Sequence, residues 1–122
     1  MGTAKKFRRT LAASTLDGDH VVDRNGNDCG KVESIMIDVQ TGRVAYVVLS
    51  FGGILGMGNK LFALPWSAVQ VDEANKRFIV NLTKEQLEVA PGFDKDHWPD
   101  LGDESYASGI YRHYNATPYW TA

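Results

Sequence analysis

Cysteine is nearly absent from this 122-residue chain, where Cys29 stands alone. A lone cysteine can form no internal disulfide and no cysteine-based zinc site. It favours a reducing compartment, which we read as the cytoplasm. Long apolar runs are missing as well. The longest, Ala45 to Met57, is broken by glycine and falls short of the roughly 20 residues that a membrane-spanning helix needs. No secretory leader is expected, because the basic start turns polar at "TLDGDH" before an apolar stretch can form. Lys6 stands where a myristoylation signal requires a hydroxyl residue.

A basic surplus is also lacking. The net charge is −2, and four cations (Lys5, Lys6, Arg8 and Arg9) crowd into the first ten residues. That leaves 9 of the 13 basic side chains to face all 15 acidic ones. Nucleic-acid binding rests on cation–phosphate contacts, so this acidic body argues against it. Residues 1–13 read as a flexible basic arm. Four cations at about 1 kcal/mol each give it only weak attraction to an anionic membrane surface.

What is present fits one ordinary domain: 43% hydrophobic and 23% charged residues, with a core that needs no staples at this length. From His20 the chain reads as short strands and turns. Asn25-Gly26 is a tight-turn signal between apolar pairs. In "KVESIMIDV" the apolar positions jump from Val32 to Ile35 and then alternate through Ile37 and Val39, which predicts a bulge near Glu33 and Ser34. Gly42 allows a second hairpin. "RVAYVVLSF", "KLFALPW", "AVQVD" and "RFIVNL" are further strands, with Asn75 and Lys76 turning between the last two. Thr83 and Gln86 have capping-box spacing and Leu82 and Leu87 staple spacing, so one short helix is expected before Pro91-Gly92.

The strand "VAYVVLSF" is apolar on both faces: Ala45, Val47, Leu49 and Phe51 on one, and Val44, Tyr46 and Val48 on the other. A strand greasy on both sides needs a cover for its outer face. The segment 91–122 holds four of the five tyrosines and two of the three tryptophans, which is unlike a disordered tail. It is expected to wrap the sheet, or a partner's sheet, with little regular structure.

Motifs for chemistry are weak. In "FGGILGMGNK", Asn59 and Leu61 stand where a P-loop needs lysine and a hydroxyl, and the glycine order does not fit a dinucleotide fingerprint. "DRNGND" has its glycine fourth, not sixth as a calcium loop requires, and reads as a polar turn. His20, His97 and His113 lack metal-ligand spacing, and Cys29 reads as a small buried side chain. Asp94, Asp96 and Asp100 read as solvated residues around a Trp-Pro anchor. No catalytic, cofactor-binding or metal-binding residue is assigned.

The residues from "VVDRNGNDCGKVESIMIDVQTGRVAYVVLSFGG" to "KLFALPWSAVQVD" resemble the PRC-barrel domain, named for the cytoplasmic domain of the photosynthetic reaction-centre H subunit. The likeness runs through Asp23, Gly26, Gly30-Lys31-Val32, Ile37-Asp38, Gly42-Arg43, Tyr46-Val47-Val48 and Pro65-Trp66. "LEVAPGFDKDHWPD" and the closing "PYW" look like free-standing bacterial members, so the resemblance covers about residues 14–122. It implies a small, strongly bent antiparallel β-barrel over 14–90 with one short helix, then the aromatic tail 91–122. Relatives named in the family act by contact. The expected function is thus a non-enzymatic protein-interaction or assembly module, with any photosynthetic link resting on the likeness alone. It is expected to be a homodimer with an unidentified further protein partner. The expected interface is Val44, Tyr46, Val48, Tyr111, Tyr114, Tyr119 and Trp120. The rival readings are a small-molecule or ion binder using the loop from Gly52 to Lys60, and a peripheral membrane protein docking through the basic arm.

Overall fold

The computed structural model describes residues 8–51 and 60–121. A one-turn helix, α1 (Ala13–Leu16), leads into β1 (His20–Val22), β2 (Asp28–Ile37) and β3 (Val44–Ser50). After it come β4 (Lys60–Leu64), a 3-10 turn (Trp66–Ala68), β5 (Val69–Asp72) and β6 (Arg77–Val80). The chain ends with α2 (Lys84–Glu88), β7 (Phe93–Asp94), α3 (Glu104–His113) and a 3-10 turn (Tyr119–Thr121).

The strands form one seven-stranded sheet in the order β5-β6-β1-β2-β3-β4-β7. Pairing is antiparallel except between β1 and β6, which run parallel from His20 opposite Arg77 to Val22 opposite Ile79. The expected antiparallel barrel is met in part: the fold is mainly β, one strand pair is parallel, and the sheet is not closed among the described residues. The β1–β2 turn leaves the far edge of β1 open, and β6, paired on its other side with β5, fills it. Strands β5 and β7 remain as edges, with no backbone pairing between them among the described residues.

The sheet bends around a core of Val32, Leu49, Phe62, Leu64, Phe78 and their neighbours, with Leu87 of α2 among them. Its bends have identifiable causes. Strand β2 pairs past Cys29 and Glu33 without matching them, and β3 carries one unmatched residue, Ala45. Each is a bulge, which sharpens twist and takes one residue out of the ladder. The bulge expected near Glu33 and Ser34 is present. At Gly30, φ is +110° and an added Cβ would collide with the Ser50 carbonyl, so only glycine lets β2 cross β3 so closely. Cys29 is buried, as expected.

Local rules hold at α2. The Thr83 hydroxyl accepts from the Gln86 amide, the Gln86 side chain accepts from the Thr83 amide, and Leu82 packs against the core that buries Leu87. The tail departs from expectation. It carries α3, the longest described helix, capped by the Asp103 carboxylate accepting from the Tyr106 amide. Arg112 and His113 sit in its last turn, where cations suit the helix dipole.

Candidate functional site

The outer face of β3 is covered within the chain. Tyr46 and Val48 join Leu61 and Ala63 of β4 under Ile110 and Tyr111 of α3 in a second buried cluster. The Tyr46 hydroxyl donates to the Leu101 carbonyl at 3.1 Å, and the Tyr111 hydroxyl donates to the Ala45 carbonyl at 2.6 Å. The second bond has a structural cause. Ala45 is the residue the bulge removes from the ladder, and Tyr111 takes its carbonyl. Tyr46 packs edge-on against Tyr111 with ring centres 6.0 Å apart.

The expected interface residues therefore divide. Tyr46, Val48 and Tyr111 are buried beneath or within the tail. The bulge at Ala45 reverses the side-chain alternation, so Val44 turns inward and packs on the inner core instead of sharing the face of Tyr46. Tyr114 lies half-buried where the two cores meet, and its hydroxyl has no hydrogen-bond partner among the described residues. Tyr119 and Trp120 alone remain at the surface side, with ring centres 5.1 Å apart and perpendicular.

These two rings border a cleft. The β2–β3 hairpin extends past the core, so Ile37 is half-exposed and Val39 is 92% exposed. Between the hairpin and the tail lies an apolar cleft of about 580 Å³, with Met36, Ile37 and Val39 on one wall and Leu101, Ala107 and Trp120 on the other. Trp120 is 37% exposed at its rim. The walls are tied together. The Tyr119 hydroxyl donates to Asp38 at 2.7 Å, and Arg43 donates to the Tyr119 carbonyl at 2.6 Å. The Tyr119 hydroxyl, with the Gln40 and Thr41 amides, holds the Asp38 carboxyl below its ordinary range. Burial pushes Tyr111 up to about 12, and burial with the bond to Asp38 does the same to Tyr119. Tyr46 and Tyr114 are raised further by burial.

A family model for the PRC-barrel domain matches residues 9–87. The chain belongs to the PRC-barrel domain family. The matched PRC-barrel segment spans α1 to α2, so the tail that covers β3 and forms one wall of the cleft lies beyond it. No curated protein matches the chain.

The other sequence candidates gather into no second site. Among the described residues no group of three His, Cys, Asp or Glu side chains is placed to hold a metal ion. His97 and Asp94 face each other at 3.9 Å, both largely exposed. Asp23 is buried and accepts from the Asn25 and Asn27 amides and the Asn27 side chain, which makes "DRNGND" a self-satisfied turn. Gly52 to Asn59, the loop of the rival reading, lies outside the described residues. Lys60 at its end is placed, 5.7 Å over the Phe62 ring. Among the described residues no helix is long and apolar enough to cross a membrane.

Nothing in the residue pattern signals the cleft. Ile37 and Val39 continue the alternation of β2, and that pattern says nothing about where the core ends. The helix wall left only a partial signal. Ala107, Ile110, Tyr111 and Tyr114 fall at i, i+3, i+4 and i+7, the spacing of one helical face.

Proposed function

We propose that the chain is a non-catalytic protein-interaction module of the PRC-barrel type, acting in the cytoplasm. Its contact surface is the cleft between the β2–β3 hairpin and the aromatic tail, and a second copy of the chain is its first partner. The curled sheet is consistent with the family, and Val44, Val69 and Val71 pack on its inner core.

The carrying observation is the position of Val39. A nearly bare aliphatic side chain at a hairpin tip, beside an apolar cleft rimmed by tryptophan, is what an interface needs and what a solitary surface avoids. In a two-fold dimer the same patch meets itself, so each tip can enter the other's cleft. Burial raises the tyrosines of the tail and of the wall beneath it, as packing side chains require.

The test is the mass in solution. Val39→Asp with Trp120→Ala, both at exposed positions, should convert a dimer to a monomer with an unchanged circular-dichroism spectrum. A wild-type chain that stays monomeric at high concentration refutes self-association. If the mutant keeps the wild-type dimer mass, the contact lies elsewhere.

A further inference from the structure

A second cavity, of about 650 Å³, opens on the other side of the hairpin at the mouth of the curled sheet. Leu16, Ile35, Val44 and Val71 form its inner part, and all four pack against the inner core cluster, so it reaches into the bend of the sheet. Leu11 and Trp66, both partly exposed, stand at its entrance. Arg9 and Glu73 also border it, and they pair with each other.

We propose that this cavity binds a single-chain anionic amphiphile, a long-chain carboxylate, with its hydrocarbon inside and its head on Arg9. An inner wall of aliphatic side chains offers a buried polar group no partner, which selects hydrocarbon. The sign of the head follows from Arg9, the one cation bordering the cavity among the described residues, where Glu73 is the one carboxylate on the wall. The Arg9 side chain is 70% exposed, so its pair with Glu73 is a surface pair of small worth. A ligand carboxylate can replace Glu73 on the guanidinium and keep a charge-assisted, two-pronged bond. Val44 and Val71 are partly buried against the inner core, which suits one chain free in solution better than a flat bilayer surface.

Isothermal titration of the full chain with dodecanoate, kept below its micellar concentration, tests this. Dodecyltrimethylammonium is the cationic control, and phosphatidylglycerol vesicles are the bilayer control. Saturable binding of dodecanoate is expected, with the ammonium bound more weakly. Arg9→Gln should weaken dodecanoate about tenfold, the scale of one charge-assisted hydrogen bond. Glu73→Gln removes a competitor and should strengthen it. Leu11→Asp, at an exposed position on the wall of this cavity, should abolish it while the circular-dichroism spectrum stays unchanged. The proposal is overturned if both amphiphiles bind alike, if only vesicles bind, if nothing binds, or if Leu11→Asp leaves dodecanoate unaffected. The readout is independent of self-association: a monomer that binds dodecanoate removes the dimer and keeps this site.

Discussion

Tyr111 and Tyr114 lie three residues apart on the tail and use their hydroxyls in opposite ways. Tyr111 donates to a buried carbonyl that the bulge at Ala45 takes out of the ladder, whereas the Tyr114 hydroxyl is buried with no partner among the described residues. Removing one member of a satisfied buried pair strands the other, while removing an unsatisfied hydroxyl strands nothing. Tyr111→Phe should therefore destabilise the fold by about 1–2 kcal/mol. Tyr114→Phe should be neutral or stabilising. Urea midpoints of the two variants decide the matter, and equal losses would refute the assignment. Glycine offers a similar contrast. Gly30 and Gly42 both have positive φ, but a side chain at Gly30 meets the Ser50 backbone and one at Gly42 meets open space. Gly42→Ala should cost about 1 kcal/mol of backbone strain. Gly30→Ala should cost about 3 kcal/mol or more, because neither strand can give way. Chemical denaturation of the pair separates strain from collision.

At the scale of elements, the tail is the cover that the two-faced β3 strand requires. Deleting residues 105–122 should expose Tyr46, Val48 and Ala63, lower the unfolding midpoint and create binding for a hydrophobic dye. An unchanged midpoint would mean that the cover contributes no stability. Much of this organisation could be read from the amino acids. The strands, the bulge at Glu33, the capping box at Thr83 and the demand for a cover all follow from local spacing or from the composition of one strand. Three features could not be read in that way. The β1–β6 pairing joins residues far apart in the chain, and neither three-residue β1 nor four-residue β6 carries a mark of its neighbour. The bulge at Ala45 inverts which of Val44 and Tyr46 faces inward, and a one-residue slip of that kind leaves no trace in an unbroken apolar run. Helix α3 was hidden for another reason. Its tyrosines, serines and Gly109 are poor helix formers, so its face and its Asp103 cap were outweighed by an aromatic content that suggested extended anchors.

For the whole molecule, the raised tyrosines set the response to alkali. Tyr111 and Tyr119 are held at about 12 against an ordinary 10, and Tyr46, Tyr106 and Tyr114 are raised as well. The folded state then keeps protons that the unfolded chain has lost. Their contribution is complete below pH 10 and disappears as pH rises towards 12 and beyond. Stability should fall steeply in that window, and tyrosinate absorbance should appear together with loss of the folded signal. Tyrosinate forming in a chain that remains folded would contradict it. In acid, Asp38 behaves conversely. Its folded value lies below 3.8, so what it contributes is present above that value and is lost as pH falls through the lower one. Asp38→Asn should therefore flatten the acid limb of a stability–pH curve.

The parallel pairing of β1 with β6 bears on how the protein is made. The ribosome delivers β1 and its hairpin partner long before Arg77 to Val80 emerge, so the early strand must wait with one flank bare. A nascent chain paused ahead of β6 would carry an open strand ready to join a neighbouring nascent chain. Slow decoding between Asp72 and Arg77 would then be a direct route to aggregation on the polysome.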